Sequence, residues 1–315
     1  MTDSPNGSQA FGPAFRSGFV SVVGRPNVGK STLVNRILGT KVSITSPSPN
    51  TTRRAVRGVL HSPGLQAVFV DTPGLHRPRS VLGQRLNDQV AEALEDVDVV
   101  VAVLDTTAAI GPGDRLVLER ASAALRRRAA GASRDLEGLF VVVNKIDSVV
   151  AAEVIRHLSQ AHALLEGAGP SKDRGAEYFA VSASSGEGVD SLVEAVLGRL
   201  APGPPYFPEE AVSDMPEAMW VAELVREQLL ARVRDELPHS LACRVTEFEW
   251  PYVRVEVIVE RDSQKAIVIG RGGELLKVVG SAVRAQLPPG AYLELRVRVE
   301  KHWQQRAASV DRLGY

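Results

Sequence analysis

Along the first two hundred residues, short apolar runs alternate with amphipathic stretches in the rhythm of a β–α repeat. The runs at 19–23, 67–71, 97–104, 139–143 and 177–181 are predominantly apolar, which predicts strands buried on both faces. Between them, apolar residues at helical spacing predict helices at about 29–38, 80–96, 113–130, 151–166 and 188–200. Strands and helices in that order build an α/β fold, a doubly wound and mostly parallel sheet. Such sheets gather ligands at the C-terminal ends of their strands. The segments 126–137 and 167–176 read as surface loops without chemistry.

The pattern changes at Ala201-Pro202-Gly203-Pro204-Pro205, which stops the last helix; polar turn residues continue to about Pro216. A second unit follows. It opens with an amphipathic helix, Trp220 to Leu237, then two alternating segments, 241–250 and 252–260, that predict strands joined by a short Trp250-Pro251 turn. A helical run from Glu274 to Gln286 and a strand over 292–300 complete a smaller α+β unit. The expected organisation is a tail over 1–17, a first domain over 18–201, a linker over 202–216 and a second domain over 217–315.

A length of 315 residues suits two domains. Lys and Arg balance Asp and Glu to a net charge of zero, so any nucleic-acid contact must be local. The single cysteine, Cys243, forbids an intramolecular disulfide and sits in an alternating stretch as a small core residue. No uninterrupted apolar segment has the length of a membrane span, and residues 1–18 lack the pattern of a signal peptide. These features predict a cytoplasmic protein. No heptad or broad apolar stripe is present, which predicts a monomer.

The chemistry lies at the strand ends. Gly24-Arg25-Pro26-Asn27-Val28-Gly29-Lys30-Ser31-Thr32 follows the first strand and opens the first helix. In this P-loop pattern, glycines let backbone N–H groups wrap phosphates, Lys30 reaches the β- and γ-phosphates, and Ser31 offers a hydroxyl to Mg²⁺. Asp71-Thr72-Pro73-Gly74 closes the second run. Asp71 there can hold Mg²⁺ through water, and Gly74 lets an N–H approach the γ-phosphate. After the 139–143 run comes Asn144-Lys145-Ile146-Asp147. A carboxylate at Asp147 accepts from both guanine N1–H and the N2 amine, neither of which adenine presents, so the motif selects GTP over ATP. Asn144 either bonds the base edge or braces the loop, and the Lys145 stem covers the ring face. Ser182-Ala183-Ser184, after the 177–181 run, is placed to offer a backbone N–H to guanine O6.

In the second unit, Ile269-Gly270-Arg271-Gly272-Gly273 fits a G-x-x-G loop that opens a helix and clamps single-stranded RNA backbone. From Arg261 to Arg284, five basic residues, Lys277 among them, stand against two acidic ones.

With GRPNVGKST, ITSPSPNTTR, DTPGLH, NKID and VIGRGG in this order, the chain from about Phe19 to Tyr315 resembles the Era family, bacterial small GTPases with a C-terminal KH domain of the type II topology. The resemblance implies a Mg²⁺-dependent GTPase cycling between GTP and GDP and acting in assembly of the small ribosomal subunit, with a link to cell growth and division. It implies that the KH domain binds the single-stranded 3′ end of 16S rRNA. It also implies peripheral association with the inner membrane, though no amphipathic membrane helix is apparent. Within Asn50-Thr51-Thr52-Arg53 it assigns Thr52, with Thr51 as the adjacent alternative, to switch I, where it meets Mg²⁺ and the γ-phosphate. It assigns Asn27 to a K⁺ ion beside the phosphates.

Many GTPases carry a water-orienting glutamine after the switch II glycine. This chain has Leu75 there, followed by His76, which predicts slow intrinsic hydrolysis. Two readings of different class follow. One is a switch enzyme whose GTP-ordered switch I changes how the KH domain is presented, with 202–216 transmitting the change. The other is an RNA-binding module that senses GTP with negligible turnover. A tRNA-modifying GTPase is disfavoured by the lack of a reactive C-terminal cysteine, and the single P-loop excludes a tandem GTPase.

Overall fold

The structure, a computed structural model, describes residues 15–128, 136–166 and 175–315. Residues 1–14 of the expected tail, and most of the two expected loops, lie outside the described residues.

The first domain is built on a six-stranded sheet. Its strands are β1 (Arg16–Gly24), β2 (Val56–Ser62), β3 (Leu65–Asp71), β4 (Val99–Asp105), β5 (Leu139–Asn144) and β6 (Glu177–Val181), in the spatial order β2-β3-β1-β4-β5-β6. Every pairing is parallel except β2 with β3. The helices are α1 (Lys30–Leu38), α2 (Val81–Glu92), α3 (Pro112–Arg128), α4 (Ala151–Glu166) and α5 (Val189–Gly198). Strand β4 shows why its run is apolar throughout. Val99, Val101 and Val103 pack with α1 and α5, whereas Val100, Ala102 and Leu104 pack with α2, α3 and α4. Each fully buried valine or leucine stabilises the fold by about 1.5–3 kcal/mol.

Strand β2 was not expected from the pattern, and the linker is not free. Gly58 interrupts the apolar alternation of β2 because a Cβ there would lie 2.2 Å from Leu38 on α1. Residues 202–216 run as a strap along this side of the sheet. The Gln66 carboxamide donates to the Phe207 carbonyl at 2.8 Å and accepts from the Tyr206 and Phe207 amides. Val59 N–H donates to the Val212 carbonyl at 2.9 Å, and Arg57 pairs with Asp214 at 2.8 Å. The strap thereby covers what would be an open sheet edge.

The second domain contains α6 (Glu217–Leu230), α7 (Leu237–Ser240), β7 (Ala242–Glu249), β8 (Tyr252–Val259), α8 (Asp262–Ile269), α9 (Glu274–Arg284), β9 (Tyr292–Val299) and α10 (Ala307–Arg312). Strand β8 pairs antiparallel with β7 and parallel with β9. The expected Trp220–Leu237 helix is α6, shifted toward its N-terminus. Ile267-Val268-Ile269 forms the last turn of α8, a helix the pattern did not reveal. Its N-terminus is capped by Gln264, whose side chain accepts from the Glu260 and Arg261 amides. Cys243 is buried, and burial pushes its thiol up to about 12, so it is inert packing.

The alternate face of the small sheet meets the first domain. Ala242 and Ile258 pack with Trp303, Val310, Leu313 and Tyr315, and the same cluster takes in Leu82 and Leu86 of α2. The two domains therefore share a small hydrophobic core.

Candidate functional site

A cavity of about 520 Å³ opens at the C-terminal ends of the central strands, lined by Lys30, Ser31, Thr32, Thr52, Gly74 and Lys145 among others. Its size suits a nucleotide. The loop that forms it turns on Gly29, at φ 97°, where a Cβ would stand 2.2 Å from the Asn144 amide nitrogen. Only glycine fits. Lys30 is buried, and its ammonium donates to the carbonyls of Gly24 (3.3 Å) and Arg25 (3.0 Å). Burial pushes its pKa down to about 8, against the pull of Asp71. Arg25 points elsewhere, pairing with Asp114 at 2.7 Å, and the Val28 side chain is in the core.

Three oxygen-bearing side chains converge beside Lys30. Ser31 Oγ and Thr52 Oγ1 lie 2.8 Å apart, and Thr52 Oγ1 lies 3.4 Å from Asp71 Oδ2. Asp71 is fully buried, and its Oδ1 has no hydrogen-bond partner. Burial raises the Asp71 pKa, opposed by Lys30 and by the hydroxyls of Ser31, Ser43 and Thr52. Two hydroxyls and an orphaned carboxylate oxygen form a hard oxygen set that fits Mg²⁺. Thr51 is turned away, donating its hydroxyl to the Ser48 carbonyl at 2.6 Å. Of the two candidate threonines, only Thr52 reaches the other oxygens.

The Asp71-Thr72-Pro73-Gly74 segment packs directly on the P-loop. Thr72 donates to the Val22 carbonyl, and a Cβ at Gly74 would lie 2.5 Å from Pro26 N. Leu75 N–H bonds the Gly24 carbonyl, and its side chain joins the core with Val23, Val90 and Val117. The position a glutamine would use on water is thus a packing position. His76 folds back, with Nδ1 2.9 Å from the Gly74 carbonyl. Asn27, at φ 65°, donates to the Pro47 carbonyl at 2.6 Å.

At the base end, the two options for Asn144 separate. Its Nδ2 donates to the Val28 carbonyl at 2.8 Å, and its Oδ1 accepts from the Ala183 amide at 2.9 Å. Asn144 is a brace between the P-loop and the 182–184 loop. Ala183 consequently gives its N–H to Asn144, not to the cavity. Ser182 caps the same loop, its Oγ accepting from the Ser185 amide. Asp147 stands exposed, and the neighbouring Ser182 hydroxyl is the main cause holding its carboxylate below the usual range. Lys145 pairs with Asp105 at 2.6 Å, which fixes its stem at the cavity wall. Asp105 and Thr106, whose hydroxyl donates to the Asn144 carbonyl, were not identified from sequence; the signal was a polar pair closing the 97–104 run.

In the second domain, Gly270 (φ 76°), Gly272 (φ 59°) and Gly273 (φ 82°) carry the chain between α8 and α9. Arg271, Gly272 and Lys277 are exposed, and Ile269 is half-buried. The arrangement presents backbone beside two cations and an aliphatic flank. That surface suits a phosphodiester chain with its bases turned inward.

Comparison with known proteins gives concordant results. A family model described as 50S ribosome-binding GTPase matches residues 19–145, and a KH domain model matches 236–304. GTPase Era of Mycobacterium tuberculosis (strain CDC 1551 / Oshkosh) is 46% identical over 96% of this chain and 99% of its own length. Among solved structures, an Era in complex with MgGDPNP and nucleotides 1506–1542 of 16S ribosomal RNA superposes with a TM-score of 0.83 at 34% identity, covering 96% of this chain and 99% of that one. A tyrosine-to-alanine variant of Aquifex aeolicus Era bound to GDP·AlF4⁻ gives 0.84 at 34% identity, over 95% and 99%.

Proposed function

The chain belongs to the Era family of GTPases, and on that premise we propose how its residues handle GTP and RNA. The observation that carries the reading is the convergence of Ser31, Thr52 and Asp71 beside a buried Lys30. The N–H groups of Gly24 to Thr32 and the Lys30 ammonium hold the β- and γ-phosphates. Ser31 and Thr52 supply hydroxyls to Mg²⁺, and Asp71 acts through water. When bound, the ion neutralises charge on the β- and γ-oxygens. Gly74 offers its N–H at the γ-phosphate. Asp147 takes the guanine N1–H and N2 amine, and Lys145, tied to Asp105, covers the ring. Asn144 and Ala183 hold the loops around the base.

Leu75, which stands where many GTPases carry the water-orienting glutamine, is in the core and cannot orient water. Intrinsic hydrolysis is therefore slow and open to stimulation. K⁺ bound by Asn27 is one stimulus; the Asn27 amide nitrogen bonds Pro47, which leaves its carbonyl oxygen for a cation. RNA on the KH domain is the other.

The proposed RNA is the single-stranded 3′ end of 16S rRNA, clamped by Ile269 to Gly273 and Lys277, and the proposed setting is small-subunit assembly. The related Era complex with that RNA supports this choice. The proposed organisation is a GTPase domain over 18–201, a strap over 202–216 and a KH domain over 217–315, working as a cytoplasmic monomer. The proposed inner-membrane association is peripheral; no helix among the described residues is long and apolar enough to cross a membrane.

Multiple-turnover GTP hydrolysis, with and without that RNA, tests the enzymatic half. Slow basal turnover that RNA accelerates is expected. Negligible turnover in both conditions would leave only a GTP-sensing RNA-binding module.

A further inference from the structure

Thr52 is flanked on both sides by residues that the second domain holds. On one side, the Thr51 carbonyl accepts a hydrogen bond from Arg226 Nη2 of α6. On the other, the Arg53 guanidinium donates to the Leu241 carbonyl at 2.6 Å and lies 5.6 Å and 5.7 Å from the ring centres of Trp303 and Tyr315. Upstream, Glu227 of α6 accepts from the Thr45 amide at 3.0 Å and pairs with Lys41. The segment 41–53, which carries Thr52, is therefore held by the second domain at four residues, Lys41, Thr45, Thr51 and Arg53.

Arg226 is the unusual member. It is completely buried and pairs with Glu223 one turn earlier on the same helix. A buried guanidinium is a poor device for joining two domains, because its desolvation offsets most of what the pairing contributes. The apolar cluster of Leu82, Leu86, Trp303 and Tyr315 already joins them. A guanidinium does what an apolar contact cannot: it fixes one carbonyl in direction as well as position. The Thr51 carbonyl belongs to the planar Thr51–Thr52 peptide, so fixing it orients the backbone from which the Thr52 hydroxyl projects.

We propose that Arg226 is a positioning residue for the GTPase reaction, supplied by the RNA-binding domain, which sets the Thr51–Thr52 peptide so that the Thr52 hydroxyl meets the Mg²⁺ and γ-phosphate. Glu227 and the seat of Arg53 complete the hold. The inference rests on the assignment of Thr52 to switch I. It makes the active site of the first domain incomplete without α6, beyond any effect of RNA.

The test uses the full chain with Arg226→Met, Arg226→Lys and Thr52→Ala. The readouts are kcat, KM, the Mg²⁺ dependence of binding a non-hydrolysable GTP analogue, and GDP affinity. GDP has no γ-phosphate for Thr52 to meet, so it reports loss of structure alone. Misplacing a reacting group by about 1 Å costs about 100-fold, so Arg226→Met should lower kcat by about 10- to 100-fold. It should weaken the Mg²⁺-analogue complex while leaving GDP affinity within about twofold. Arg226→Lys, which keeps a donor but not the fork, should recover part of the loss. Equal losses for GDP and the analogue, or an unchanged kcat in the folded variant, would overturn the proposal. If Arg226→Met does not fold, Glu227→Gln carries the same comparison through the Thr45 contact. If Thr52→Ala leaves the Mg²⁺ dependence unchanged, the switch I assignment itself has failed, and the positioning role with it.

Discussion

Replacing Asn144 by alanine isolates what holds the two ends of the nucleotide site together. The side chain is 1% exposed and makes two bonds, from Nδ2 to the Val28 carbonyl and to Oδ1 from the Ala183 amide. Val28 and Ala183 are themselves buried, so truncation strands one acceptor and one donor away from water. Each such group costs about 1–3 kcal/mol, which gives a loss of about 2–6 kcal/mol. Part of it falls on stability and part on binding, because the loops it joins carry phosphate contacts on one side and base contacts on the other. If binding takes even about 1.4 kcal/mol, GDP affinity falls about tenfold. Urea unfolding of the nucleotide-free protein gives the first part, and titration with GDP, GTP and inosine triphosphate gives the second. A brace does not read the base, so the preference for GTP over inosine triphosphate should survive while both bind more weakly. An unchanged unfolding free energy with a collapsed preference would refute the reasoning and return Asn144 to the base edge.

The two adjacent threonines make a sharper pair. Thr52→Ala should weaken Mg²⁺-dependent binding of a GTP analogue, whereas Thr51→Ala, which loses a bond to Ser48, should act on stability; the reverse pattern in a Mg²⁺ titration would contradict the geometry. Lys30 titrates near 8 in the free protein and is held charged by phosphate in the complex, so binding takes up a proton above that pH. Affinity for GDP should be flat below about pH 7 and about tenfold weaker at pH 9 than at pH 7, with proton uptake visible by calorimetry in buffers of different ionisation enthalpy. Turnover in KCl should exceed turnover in NaCl, and equal rates would remove the cation from Asn27.

The parallel strands were legible to within about three residues at their ends because burial makes them mostly apolar; β3 and β5 have no exposed position. Strand β2 was hidden because Gly58, Arg57 and His61 break its alternation, each for a local reason: Leu38 needs the space at 58, and Arg57 and His61 bond the strap. The strap itself has no pattern, since it is held by backbone groups and by side chains of the sheet, Gln66, Arg57 and His61, rather than by an apolar face of its own. Helix α8 was masked by Ile267-Val268-Ile269, a triplet that looks β-like although only Val268 is buried.

The phosphate and guanine motifs could be read because their chemistry depends on spacing along the chain. The rest of the site depends on partners far away in sequence. Thr51 and Thr52 are interchangeable as letters, and only the fold brings one of them to Ser31 and Asp71. Arg53 and Arg226 meet carbonyls 175 or more residues distant, which no local pattern announces.

The most direct measurement is RNA binding by the full chain, loaded with a GTP analogue or with GDP, against a single-stranded oligonucleotide copying the 3′ end of 16S rRNA. A scrambled oligonucleotide and a Gly272→Asp variant serve as controls. The account predicts sequence-dependent binding that tightens with the GTP analogue and is lost in the variant, where a carboxylate faces the phosphodiester chain. Weak binding that ignores sequence and nucleotide would contradict it and leave a GTPase without its RNA.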